Sequence, residues 1–193
     1  MSPGPTSKGT LRRTALLDAA ERILGSAGGA ELTMRAVADA AGVRLGHLQY
    51  YFPARSDLLT ALLDRILTAS LERVEGLTDT SGTDGGLPAV LDSVLGEHED
   101  LPLVRLFTEV WAMAAHDEEA ATAVRAFYAR YAEHVAAFIR HHRPAVTAAE
   151  AHARAEVFVM LMEGSALFRS GVAGRPGPRT DARLRATLLG LLV

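Results

Sequence analysis

Apolar residues recur at intervals of three and four through nearly the whole of this 193-residue sequence, and no run of alternating apolar and polar residues argues for a sheet. That spacing puts an apolar stripe on one side of a helix, whereas a half-buried strand needs a period of two. An all-α chain is expected. Leu11, Ala15, Leu16, Ala19, Ala20, Ile23 and Leu24 predict an amphipathic helix over 10–27 that stops at Gly28-Gly29. Thr33 is placed to cap a short second helix, MRAVADAA, with Gly42 in the turn behind it. A third short helix over about 44–51 ends before Pro53, which pushes the preceding residue out of helical geometry. Leu58, Leu59, Leu62, Leu63, Ile66, Leu67 and Leu71 predict a connecting helix from Arg55 to about Leu77, followed by a loop over 78–86. Further helices are expected at 87–96, 101–115, 118–141 and 148–170, the last opened by the capping-box pair Thr147 and Glu150. Thr180 or Asp181 is placed to cap a final helix, for about nine helices with no strand and no repeat.

A chain of this length buries a core without staples, and the absence of cysteine excludes disulfides, thiolate catalysis and thiolate metal sites. No cofactor or metal site is expected. The opening MSPGPTSKGT is polar and is not followed by the apolar block of a secretion signal, and apolar runs such as Val157 to Met162 are too short to cross a bilayer. A soluble cytoplasmic protein is the expectation. The formal charge of -3 hides an asymmetry: residues 1–56 carry seven Lys/Arg against four Asp/Glu, and residues 57–193 carry thirteen against nineteen. Nucleic acid responds to the local field rather than to the total, so the N-terminal part is the candidate basic surface. Enzymatic chemistry lacks a pattern to carry it, with no His-Glu-x-x-His, glycine-rich phosphate loop or nucleophile elbow. His134, His141 and His152 read as exposed helix or loop residues rather than metal ligands.

The most informative segment is TMRAVADAAGVRLGHLQYYFPARSDLL, residues 33–59. Ala38 and Ala41 suit a close helix crossing with Gly42 in the turn, Val37, Val43, Leu48 and Phe52 supply an apolar plug, and the following helix is left free to enter a major groove. The segment resembles the DNA-binding domain of the tetracycline-repressor (TetR) family of bacterial regulators. The resemblance rests on Thr33, Ala41-Gly42-Val43, Gly46-His47-Leu48-Gln49-Tyr50-Tyr51-Phe52, Arg55 and Leu58-Leu59, and covers roughly residues 10–63. Gln49 stands where the family usually has tyrosine, Tyr51 where it has histidine, and Arg44 where a small polar residue often opens the helix. The resemblance implies base-edge contacts from Arg35, Leu45 and His47, and phosphate contacts from Thr33, Gln49, Tyr50, Tyr51 and Arg55, with Arg44 adding charge near the groove. It also implies a division into a helix-turn-helix domain, 1–54, and an effector-binding and dimerisation domain, 55–193.

One short recognition helix spans only a few base pairs, so a homodimer on a palindromic operator of double-stranded DNA is expected. The resemblance assigns dimerisation to the last two long helices. The candidates are Ala155, Val159, Met162, Ala166 and Phe168 in 148–170, and Leu184, Leu188, Leu191 and Leu192 in 181–192. Large aromatics and methionines in the preceding helices either line an effector pocket or fill the core. Phe107, Trp111, Tyr128, Tyr131 and Glu163 stand out as ligand-binding candidates because most combine bulk with a polar handle, and Glu109 or His116 is placed to add an ionisable group. A carboxylate at Glu163 facing an apolar cavity favours a cationic or hydrogen-bond-donating ligand, and the resemblance implies a small amphipathic or apolar effector that releases a repressor. The contrasting readings are an architectural DNA-binding protein without effector and a helical-bundle enzyme.

Overall fold

The computed structural model describes residues 7–80 and 86–193, with side chains except those of 7, 8, 70, 71, 73–80 and 86. Among the described residues there are nine α-helices and no strand. They are α1 (Ser7–Ala27), α2 (Met34–Ala40), α3 (Leu45–Tyr51), α4 (Arg55–Thr80), α5 (Gly86–Glu97), α6 (Leu101–Ala114), α7 (Glu118–His142), α8 (Ala148–Arg169) and α9 (Pro178–Leu192). A 3-10 turn, Gly29–Glu31, separates α1 from α2.

The helix boundaries depart from expectation where a local rule had a competitor. α4 takes in 78–80, expected as loop; the rest of that loop, 81–85, and the side chains of Leu71 and Leu77 lie outside the described residues. α9 begins earlier than Thr180 or Asp181 allow, because Gly177 is the N-cap and Pro178 fills the first turn, where a missing N–H costs nothing. Asp181 is turned instead to Arg169 and Arg185. Thr147 caps α8 by accepting from the Glu150 N–H at 3.2 Å, but the Glu150 carboxylate goes to Arg154 Nε at 2.7 Å rather than back to Thr147.

The chain forms two compact units, one made of the chain up to Ile66 with Arg105–Val124, the other of Leu67–Val104 with Arg125–Val193. In the first, α2 packs on α1 and α3. Its core holds Leu16, Leu17, Ala20 and Leu24 of α1, Leu32, Val37 and Ala38, Leu48 and Phe52, and Leu58, Leu59, Leu62 and Leu63 of α4, all almost wholly buried. Each such leucine contributes about 2 kcal/mol of burial. Arg65 of α4 pairs with Asp18 and Glu21 of α1 along the rim.

The second unit has its own core, built from Leu91 and Leu95 of α5, Val135, Ala136 and Ile139 of α7, Ala151, Ala155, Phe158, Val159 and Met162 of α8, and Leu188 and Leu192 of α9. Arg169, whose side chain is only 8% exposed, ties three helices together: it donates to the Leu95 carbonyl at 3.1 Å and pairs with Glu99 and with Asp181. Arg185 pairs with Asp92 and Asp181. The core corrects the expected interface. Ala155, Val159, Met162, Ala166, Leu188 and Leu192 are buried within the single chain and cannot face a second one. The large apolar residues that α8 leaves in solvent are Val157, Met160 and Phe168, at 44%, 69% and 50% exposure, on the line that also carries Leu161 and Gly164.

Candidate nucleic-acid interface

The turn between α2 and α3 is fixed by backbone bonds rather than by side chains. The Val43 N–H reaches the Ala38 carbonyl at 2.9 Å and the Gly42 N–H the Asp39 carbonyl at 3.0 Å, the paired bonds of a Schellman motif. Gly42 sits at φ 66°, which a Cβ would strain, so glycine is what lets α2 stop and the chain turn sharply into α3. Thr33 starts α2 as expected, its Oγ1 accepting from the Ala36 N–H at 3.1 Å. The hydroxyl hydrogen remains available to an outside acceptor.

α3 buries one edge and presents the other. Leu48 and Phe52 are sealed in the core at 0% and 1% exposure, with Leu45 and Tyr51 half-buried beside them. Arg44, the N-cap residue, and Gly46, His47, Gln49 and Tyr50 are exposed, Tyr50 at 81%. Arg35 is exposed on α2. The exposed rings of His47 and Tyr50 both rest on the half-buried Tyr51: His47 stacks on it with centroids 5.6 Å apart and planes 13° apart, and Tyr50 meets it edge-on at 5.2 Å. A Cβ built on Gly46 meets nothing, so packing within the chain does not require glycine there. From α1, Arg13 lies over the Phe52 ring at 5.1 Å and closes the other end of α3.

Arg55 is differently placed from the rest of the expected DNA-contacting set. Its Nε donates to the Leu32 carbonyl at 2.9 Å, one terminal nitrogen to the Gly29 carbonyl at 3.2 Å and the other to Asp117 Oδ2 at 2.5 Å. Asp117 also accepts from the Ala120 and Glu119 N–H groups at the start of α7, and these bonds, with Arg55 beside them, hold its carboxyl below the usual carboxylate range. Glu109, expected as an ionisable group for a ligand pocket, instead accepts from the Gly29 N–H at 2.8 Å, and His116 is exposed.

The expected ligand-binding residues divide between the two compact units. Phe107 and Trp111 belong to the first, half-buried, with ring centroids 6.3 Å apart. Tyr128, Tyr131 and Glu163 belong to the second. Phe127 packs edge-on against both tyrosines, at 5.0 Å and 6.3 Å. Burial pushes the Glu163 carboxyl up to about 7, against the opposing pull of a hydrogen bond with Tyr128. Tyr131 is raised by burial and then by the negative charges of Glu163 and Glu97. Sequence reasoning missed the neighbouring pair His98 and Ser165, which meet at 3.1 Å across 67 residues; burial and then the charge of Arg169 lower His98 to about 4. No local spacing signals that pair.

Among known proteins, residues 16–62 match the family model described as "Bacterial regulatory proteins, tetR family". An HTH-type transcriptional regulator from the dhlA 5′ region of Xanthobacter autotrophicus is 34% identical over 122 residues, 61% of this chain and 60% of its own length. The HTH-type transcriptional repressor KstR of Mycolicibacterium smegmatis is 39% identical over 77 residues, 40% of this chain and 36% of its own. The chain thus matches less than two thirds of either of these relatives. In three dimensions, the multidrug binding protein EbrR, solved with imidazole, superposes with a TM-score of 0.65 at 25% identity, covering 93% of this chain and 94% of its own. These relatives are transcriptional regulators or binding proteins, not enzymes.

Proposed function

Because the chain belongs to the tetracycline-repressor family of bacterial transcriptional regulators, we propose that it is a repressor that grips a palindromic operator as a homodimer, in the cytoplasm, and lets go when a small molecule binds. The observation that carries this reading is the outward face of α3. A two-turn helix fixed on its inner edge by Leu48 and Phe52 offers Arg44, His47, Gln49 and Tyr50 to solvent, side chains suited to phosphates and base edges rather than to a protein core. Residues 1–54 are the DNA-binding part and 55–193 the effector-binding and dimerisation part. Arg35, Leu45 and His47 are assigned to base edges, Thr33, Gln49, Tyr50 and Tyr51 to phosphates, and Arg44 to the groove's edge.

The exposed line on α8, Val157, Met160, Gly164 and Phe168, is assigned to the second subunit, because an apolar stripe of this kind outside the chain's own core calls for cover. Effector contacts are assigned to Tyr128, Tyr131 and Glu163, whose half-buried carboxylate and phenols suit an amphipathic molecule with a cationic or donor group. Such a ligand releases DNA only by preferring the conformation unsuited to the operator. The test is selection of bound sequences from random duplexes with the full chain, followed by titration of single variants on the winner. Tyr51→Phe weakens binding across all duplexes, whereas His47→Ala changes the ranking among operator variants by about 1–3 kcal/mol at one position. Uniform weakening by His47→Ala removes its base-reading role, and indifference of the wild type to every duplex at low salt removes the whole reading.

A further inference from the structure

We propose that Arg55 and Glu109 are positioning residues that latch the entry of the helix-turn-helix onto residues 105–124, and that Arg55 acts on DNA binding through this latch rather than by touching phosphate. The proposal rests on the DNA-binding reading above for its functional consequence. Its structural basis is a single short stretch, Gly28 to Leu32, that leads from α1 into α2. Gly28 takes φ 88°, a conformation L side chains rarely adopt, and a Cβ on Gly29 would fall 2.5 Å from Met113 Sδ, so α6 sits directly against this turn. Three of the turn's backbone groups are satisfied from outside it: the Gly29 N–H by Glu109, the Gly29 and Leu32 carbonyls by Arg55.

Arg55 is in turn held by Asp117, whose other bonds cap α7. Leu32, buried at 1% exposure, is followed at once by Thr33, the cap of α2. A displacement of 105–124 is therefore delivered to the first turn of α2 through two side chains, and α3 follows because the Schellman turn couples it to α2. The guanidinium's planar fork is what spans three acceptors at once; an ammonium at the same site reaches at most a subset. Most of its donors are spent inside the protein, on the Leu32 and Gly29 carbonyls and on Asp117.

Three variants of the full chain test this on the selected duplex, by fluorescence anisotropy across a salt series, alongside hydrogen–deuterium exchange of the free protein. Asp117→Ser keeps a capping hydroxyl for α7 but falls short of Arg55. It lowers duplex affinity about tenfold, with the slope of log affinity against log salt unchanged, and speeds amide exchange over residues 33–52. Arg55→Lys keeps a cation yet loses about as much affinity as Arg55→Ala, again at constant slope. The proposal is overturned if Asp117→Ser binds as tightly as wild type, or if Arg55→Lys preserves binding while Arg55→Ala lowers the slope by about one, the signature of a lost phosphate contact. Should wild type bind no duplex, the DNA reading fails by itself, and the exchange rates of Asp117→Ser alone decide whether the latch holds α2 and α3.

Discussion

α3 and α8 both spend one side on the core of their own unit, and they differ in what they do with the other. On α3 the free side carries Arg44, His47, Gln49 and Tyr50; on α8 an exposed line carries Val157, Met160, Gly164 and Phe168, with His152 and Glu156 exposed next to it. A polar, hydrogen-bonding surface suits a partner that stays wet, since charged and amide groups keep their value beside phosphates and bridging water. An apolar line has value only against another apolar surface, and a second copy of the same chain is the partner that the proposed two-fold operator requires. The composition of a helix's unburied side therefore separates its two proposed partners more clearly than the helix's overall hydrophobicity does.

The comparison breaks most visibly at Met160. Met160→Glu places a charge in the middle of the α8 line, and the expected outcome is a monomer at micromolar concentration by analytical ultracentrifugation, with operator affinity reduced on the order of a hundredfold because only half-sites are gripped. A dimer that persists through this change moves the interface elsewhere.

A middle-sized effect sharpens the contrast at the inner edge of α8, where Glu163 is half-buried beside tyrosines while the polar residues of α3 are in water. Its carboxyl is raised from 4.5 to about 7 in the folded chain, so the folded state holds a proton that the unfolded chain has lost between those values. Stability contributed by this group therefore falls as pH rises from about 4.5 to 7 and stays low above it. Glu163→Gln removes that dependence and stabilises the protein at pH 8 by on the order of 2 kcal/mol, the gain vanishing toward pH 4.5, as read by denaturant titration. His98 runs the opposite way: held neutral down to about 4, it loses stability as pH falls below 6.5. His98→Gln accordingly flattens the acid limb that Glu163→Gln leaves in place. The smallest effect belongs to Gly46, where a methyl meets no neighbour. Gly46→Ala raises the stability of the free protein by about 0.5–1 kcal/mol; tighter or unchanged duplex binding by this variant shows that the backbone there does not approach the DNA.

Much of the architecture was legible from spacing, because every helix has a buried stripe and most of the stops are glycine, proline or a capping side chain. The side of α8 that lies inside was not legible. Ala155, Val159, Met162 and Ala166 make one line at helical period and Val157, Met160, Gly164 and Phe168 make another, so the period alone selects neither. Neighbouring helices decided between them. The outward residues of α3 were legible because a two-turn helix between Gly42 and Pro53 has few ways to sit, whereas the partners of Arg55 lie 23, 26 and 62 residues away and leave no local trace. The same distance problem hid Glu109, which reads as a polar group among aromatics until Gly29, 80 residues earlier, is seen against it.

The run of rings on α3 has a thermodynamic consequence. With His47 lying flat on Tyr51 and Tyr50 abutting it, rotamer freedom in these side chains is surrendered when the chain folds rather than when it meets its target. Recognition then begins from a surface already set, and its speed is governed by encounter and charge rather than by rearrangement.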